Sequence, residues 1–161
     1  MPDKPEPTLV YEGKVRSEWI DDSGHMYAAH YVVAFGEASD VVLDLLTVGD
    51  AYRRETNAAP FLLELHTTYL REMTADAGFR ITLQLLEYDQ RRLRYFLRMF
   101  DAASGDLVST VETAIVHVDL ATRKSCDWPE AALGKMAEYH AMHGEIEFPP
   151  EAGRGISFAR R

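Results

Sequence analysis

Residues 19–46 read WIDDSGHMYAAHYVVAFGEASDVVLDLL, a polar turn running straight into a long apolar stretch. The cluster Asp21-Asp22-Ser23-Gly24-His25 is dense in residues that turn the chain and cap helices. Beyond it Phe35, Ala38, Val42, Leu45 and Leu46 recur at three- and four-residue steps, with Tyr31 and Val41 beside them. That spacing predicts a helix of about 20 residues ending near Gly49. So many of its residues are apolar that it is expected to be buried on most sides.

On either side of this helix the pattern is that of strands. Residues 9–20 carry Val10, Tyr11, Val15, Trp19 and Ile20, interrupted by Gly13, and read as one strand. From Pro60 the period becomes two. Residues 61–70 are rich in Leu, Thr and Tyr. Phe79, Ile81, Leu83 and Leu85 alternate with polar residues in 79–88, and Leu93, Tyr95, Leu97 and Met99 do so in 91–100. Residues 107–119 are rich in Val, Thr and Ile. Tyr88-Asp89-Gln90 and Ser104-Gly105-Asp106 are short enough for hairpin turns. Glu130 to His143 reads as a shorter amphipathic helix, followed by a tail with Pro149-Pro150 and Gly153/Gly155. The expected organisation is a flexible start over 1–8, a main unit over 9–129, and a helix and tail over 130–161 belonging to the same unit. The fold class is α+β: an antiparallel five-stranded meander wrapped around a long central helix, with open edges that favour self-association.

Composition narrows the class of function. The chain has 161 residues, 47% apolar and 27% charged, enough for one globular domain with a full core. Its net charge of −9 argues against a general nucleic-acid partner. One cysteine, Cys126, leaves no disulfide framework. The start shows no signal-peptide pattern, and no apolar run reaches the roughly 20 residues of a membrane span. A soluble, cytoplasmic protein that uses neither nucleic acid nor membrane is expected.

Chemistry concentrates at the turn. A helix N-terminus leaves N–H groups unpaired and favours negative charge, so a carbonyl aimed near Tyr27 and Ala28 would be polarised towards an oxyanion. Asp21, just ahead, has the chemistry to attack that carbonyl or activate water, and Gly24 permits a tight turn and a close approach. The plainer alternative is that Asp22 or Ser23 caps the helix and Asp21 is solvated.

The pattern formed by Trp19, Asp21, Gly24, His25 and Tyr31, followed by an apolar helix, resembles the acyl-CoA thioesterases of the hotdog fold, more narrowly the 4-hydroxybenzoyl-CoA thioesterase-like family. Further matches are Phe35-Gly36-Glu37-Ala38, Glu64-x-His66-x-x-Tyr69, Asp89-x-x-Arg92-Leu93 and His117-Val118-Asp119, so the resemblance covers roughly residues 10–129. Within the family the set looks most like thioesterases of carnitine breakdown that act on betainyl-CoA. The resemblance implies that Asp21 is the catalytic carboxylate, that the backbone N–H near Ala28 polarises the thioester carbonyl, and that Gly24 and His25 shape the turn. It also implies a homodimer or tetramer with sites built from two chains. CoA enters as part of the substrate, and no other cofactor and no metal is expected. Where many relatives carry two asparagines after Gly-His-Met, this chain has Tyr27 and Ala28.

Glu64 and His66, two apart on a strand, share a face inside an otherwise apolar run. Glu64 is a candidate second acid or base, or the counter-charge for a cationic acyl group; both side chains facing solvent is the alternative. A trimethylammonium group binds between aromatic faces, and Trp19, Tyr27, Tyr31 and Tyr69 are candidates for such a cage. Arg92 and Arg94, with Arg91 and Arg98, form a basic cluster suited to the phosphates of CoA, or simply a solvated strand face. His25 and His30 miss the spacing that sets two metal ligands on one helix face. Two rival functions remain: a non-catalytic acyl-CoA sensor, and an acyl-CoA hydratase, whose Asp-x-x-x-x-His motif is not matched by Asp21 and His25.

Overall fold

The alternation of apolar and polar residues builds the sheet. A computed structural model describes residues 5–158, with strands β1 (Thr8–Lys14), β2 (Ala58–Tyr69), β3 (Gly78–Tyr88), β4 (Arg92–Asp101), β5 (Leu107–Asp119) and β6 (Lys124–Ser125). The helices are α1 (Ala28–Leu45), α2 (Asp50–Thr56) and α3 (Glu130–His143). In β3 and β4 the predicted apolar residues face one way: Ile81 lies opposite Met99, Leu83 opposite Leu97 and Leu85 opposite Tyr95, all buried. Onto that concave face α1 lays Tyr31, Ala34, Phe35, Ala38 and Val42. Each large side chain so buried is worth about 1.5–3 kcal/mol. The result is a curled antiparallel sheet around α1, the hotdog arrangement that the resemblance implies.

The sheet is not a simple meander. Its order is β1-β3-β4-β5-β2, with β6 on β5, so only β3, β4 and β5 follow one another. β2 pairs with β5 and forms an edge. Periodicity fixes which face a residue occupies but carries no information about which strand lies beside it. To reach β3 from that edge, residues 70–77 cross the end of the sheet. They are held there by Met26 N–H to the Met73 carbonyl at 2.8 Å and Val15 N–H to the Ala77 carbonyl at 2.9 Å.

Three local expectations are corrected. The first strand ends at Lys14; residues 15–20 form a loop with a 3-10 turn at Ser17–Trp19, which drops Val15 and Trp19 into the core without strand pairing. A further helix, α2, follows Gly49; its short length and charged surface left no apolar period to read. Finally, α1 buries one face rather than most: Val33 is 44% exposed and Gly36 has open space beside it. The expected flexible start partly lies outside the described residues (1–4), as does the tail's end (159–161), while Thr8 already belongs to β1. At the other end α3 buries Ala132 and Met136, and Trp128 just ahead of it is buried too.

Candidate active site

The turn ahead of α1 is a small hairpin. Tyr27 N–H donates to the Trp19 carbonyl, Ile20 bridges Met26, and Asp21 N–H donates to the His25 carbonyl at 3.0 Å. Gly24 closes it with φ at +82°, in the left-handed region where a side chain would be strained. The Asp21 carboxylate accepts the Ser23 amide at 2.8 Å and the Ser23 hydroxyl. These two donors hold its carboxyl below the usual carboxylate range, so Asp21, an exposed residue, is ionised at neutral pH.

Behind the hairpin α1 begins with no side-chain cap. Tyr27 N–H is spent on Trp19 and His30 N–H on the Tyr27 carbonyl, which leaves the Ala28 and Ala29 N–H groups without a partner among the described residues. Neither Asp22 nor Ser23 caps the helix. Next to Ala28 opens a groove of about 370 Å³ lined by Met26, Ala28, Tyr31, Tyr69 and the segment Leu70-Arg71-Glu72. The Tyr31 and Tyr69 rings meet at 5.4 Å and 90°. Their hydroxyls donate to the Arg71 carbonyl (3.3 Å) and the Ala28 carbonyl (3.0 Å), and burial raises both phenols. His25, in the hairpin, reaches the groove's rim through Nε2, 3.3 Å from Glu72.

Of the four aromatic residues read from the sequence, the structure brings Tyr31 and Tyr69 into the groove. Trp19 is buried, with Arg16 over its ring at 4.6 Å and His30 stacked on it at 5.6 Å, so it supports the hairpin from beneath. Tyr27 is about half exposed, edge-on to His30. Glu64 and His66 do share a face, but it is the opposite one from Tyr69. Within one chain they line a separate cavity of about 520 Å³ with Arg94, Glu112 and the tail segment 153–156, and do not meet Asp21.

The arginines are engaged, three of them with carboxylates. Arg92 pairs with Asp89 at 2.6 Å, and Arg94 with Glu112 at 3.1 Å and Glu87 at 3.3 Å. Arg91 pairs with Asp127 at 2.7 Å, and Arg98 donates to Gln84. Asp89 also accepts the Arg91 and Arg92 amides, which explains the Asp89-x-x-Arg92 motif as a hairpin lock. Glu37, mid-helix, accepts Tyr11 and Arg16. Among the described residues no group of His, Cys, Asp and Glu converges as a metal site would. Sequence reasoning missed Glu72, because its contact with His25 joins segments that no local pattern connects. The one available signal was its position three residues past Tyr69, where the strand pattern stops.

Comparison with known proteins gives this geometry a context. Residues 15–136 match the model of the thioesterase-like superfamily. The L-carnitine dehydrogenase/betainyl-CoA thioesterase of Rhizobium meliloti (strain 1021) is 34% identical over 154 residues, 96% of this chain and 31% of that protein. This chain thus spans under a third of the length of that relative. The betainyl-CoA thioesterase of Pseudomonas aeruginosa is 27% identical over 91% of this chain and 92% of its own. Among solved structures, the hypothetical protein SAV2348 from Staphylococcus aureus, in complex with CoA, superposes with a TM-score of 0.89 at 30% identity, covering 95% of this chain and 97% of that one.

Proposed function

The chain belongs to the thioesterase-like superfamily, and from that premise we propose that it hydrolyses a small acyl-CoA thioester to the free acid and CoA. One observation carries the reading: an ionised carboxylate, Asp21, stands on a hairpin leading directly into two unpaired helix N–H groups and a groove. In the proposed reaction the thioester carbonyl points at the Ala28 and Ala29 N–H groups. Asp21 takes a proton from water as its oxygen bonds to the carbonyl carbon, or attacks that carbon itself to give an anhydride that water opens. The carbonyl electron pair collects on the oxygen held by the two N–H groups. Its return breaks the C–S bond, and the CoA thiolate leaves and takes up a proton. Water, Asp21 and the helix terminus supply every step, with CoA present only as part of the substrate.

The acyl group we favour is betainyl, a trimethylammonium carried one methylene from the carbonyl. Relatives bearing that activity in their names support it, as does the half-exposed Tyr69 ring at the groove, since ring faces attract a cation that has no N–H to donate. We further propose a homodimer formed along β2, whose outer edge shows Leu62, Leu63, Leu65 and Tyr69. A cytoplasmic location suits a CoA thioester substrate, and no helix of the described residues is long and apolar enough to cross a membrane.

The test is thiol release from betainyl-, short aliphatic, medium-chain and aromatic CoA thioesters by the wild type and Asp21→Asn. The variant is expected to lose about 10²–10⁴-fold in kcat while remaining folded, the range for removing a positioned base. Wild-type turnover in the variant removes Asp21 from the mechanism. CoA binding without release from any thioester by the wild type replaces the enzyme with a sensor.

A further inference from the structure

We propose that Glu72 is the carboxylate that selects a cationic acyl group in the groove at the start of α1. The inference rests on the thioesterase reading and names the specificity residue of that same site.

The electrostatic problem follows from the substrate's own covalent structure. In a betainyl thioester the quaternary nitrogen is separated from the carbonyl carbon by a single methylene. When the carbonyl oxygen reaches the Ala28 and Ala29 N–H groups, the fixed cation is therefore carried into the positive end of the α1 dipole. Aromatic faces offset part of that repulsion, worth about 0.5–2 kcal/mol according to exposure. A nearby full negative charge is the stronger remedy.

Among the residues lining the groove, Glu72 carries the one acidic side chain. Arg71 beside it is directed away, with its guanidinium 3.8 Å from Asp106. Glu72 follows the groove's rim directly: the Tyr31 hydroxyl donates to the carbonyl of its neighbour Arg71, and the Glu72 charge contributes to raising the Tyr31 phenol. Its side chain is 70% exposed and anchored on one side by His25 Nε2 at 3.3 Å, so the rest of the carboxylate remains open to a ligand. Glu64, the counter-charge expected from the sequence, lines a different cavity in the same chain, and Arg94 is already beside it there. A residue that only fixed His25 would position the hairpin for every substrate equally. A counter-charge acts on the cation alone.

That difference is measurable with a matched pair of substrates. Betainyl-CoA and 3,3-dimethylbutanoyl-CoA have the same shape, with carbon replacing the quaternary nitrogen in the second. The readout is the ratio of their kcat/KM values in wild type, Glu72→Gln and Glu72→Asp. The wild type is expected to favour the cation, and Glu72→Gln to lower the ratio by about two- to fivefold, the scale of one charge contact at an exposed site. Glu72→Asp, which keeps the charge, is expected to restore most of it. Raising the ionic strength should shrink the wild-type ratio. A cation preference that survives in Glu72→Gln overturns the inference and leaves the thioesterase reading standing. A wild type indifferent to the charge overturns the cationic specificity and this inference with it. A wild type that cleaves neither of the two overturns the inference, and it takes the thioesterase reading with it only when the medium-chain and aromatic thioesters are left intact as well.

Discussion

His143 accepts the Leu85 N–H at Nδ1, 2.9 Å away, so its proton sits on Nε2 and is given to the Thr8 hydroxyl at 3.0 Å. β1 begins at Thr8, opposite Leu83, and stops short of Leu85, so the imidazole takes the place of missing strand. Burial lowers His143 below its usual value of 6.5, with His140 nearby adding to the effect. The unfolded chain therefore binds a proton that the folded one refuses, and stability falls as pH drops below about 6.5. Urea midpoints measured at pH 7.5 and 5.5 should show that loss, and His143→Ala should be less stable by about 1–3 kcal/mol at pH 7.5 for the orphaned N–H. The variant should also flatten the pH dependence; an unchanged slope would place the sensitive group elsewhere. His117 has a comparable structural task. Its Nδ1 faces the Asp127 carbonyl at 2.9 Å and so carries the proton, Nε2 meets the Tyr52 hydroxyl, and Trp128 stacks on the ring at 4.7 Å. Of the motif histidines, His25 is the one in the hairpin ahead of α1, beside Glu72.

At the scale of elements, β1 depends on a missing side chain. A Cβ on Gly13 would stand 2.7 Å from Phe79 Cζ and 2.9 Å from the Tyr11 ring, and Phe79 is too buried to move aside. Gly13→Val should cost about 1–3 kcal/mol through overpacking, read as a lowered thermal midpoint. A wild-type midpoint would mean that β1 shifts freely on β3. In the sequence Gly13 looked like an interruption; in the sheet it is where β1 crosses an aromatic ring. The same contrast runs through the whole fold. β3, β4, β5, α1 and α3 were legible because each presents a face whose period survives in one dimension. The pairing of β2 with β5 was not, since it depends on where the chain emerges after α2. Asp21 and Gly24 stood out from turn chemistry and the resemblance, and the structure puts both in the hairpin; Tyr31 and Tyr69 stood out as motif residues, and both line the groove. Trp19 and Tyr31 are both buried, and a buried aromatic ring and a binding one look alike in sequence. Glu72 was invisible because only the crossing of residues 70–77 brings it to His25.

At the scale of the molecule, the outer edge of β2 demands an explanation. Leu63 is the extra residue of a bulge, between Leu62 opposite Ile115 and Glu64 opposite Ala114. Leu62 and Leu63 are each 59% exposed, Leu65 is 38% and Tyr69 49%, on a strand whose second edge has no partner among the described residues. Isolated edges of this length are usually protected by charge or proline; Pro60 and Glu64 interrupt this one, yet Leu62 and Leu63 stand exposed side by side between them. A net charge of −9 makes two copies repel, so association along this edge has to be driven by apolar burial and strand pairing rather than by electrostatic attraction. Leu63→Lys adds to the edge the charge that natural edges use, at a position too exposed to disturb the core. Sedimentation should then show the mass fall from a dimer to the 18.2 kDa of one chain, with the far-ultraviolet circular dichroism of the wild type retained. Low salt should sharpen the effect, because the lysines that the two copies bring to the seam are screened less from each other. If the Lys variant sediments as a dimer at low salt, β2 is not the seam, and the exposed face of α1 around Val33 becomes the surface to test.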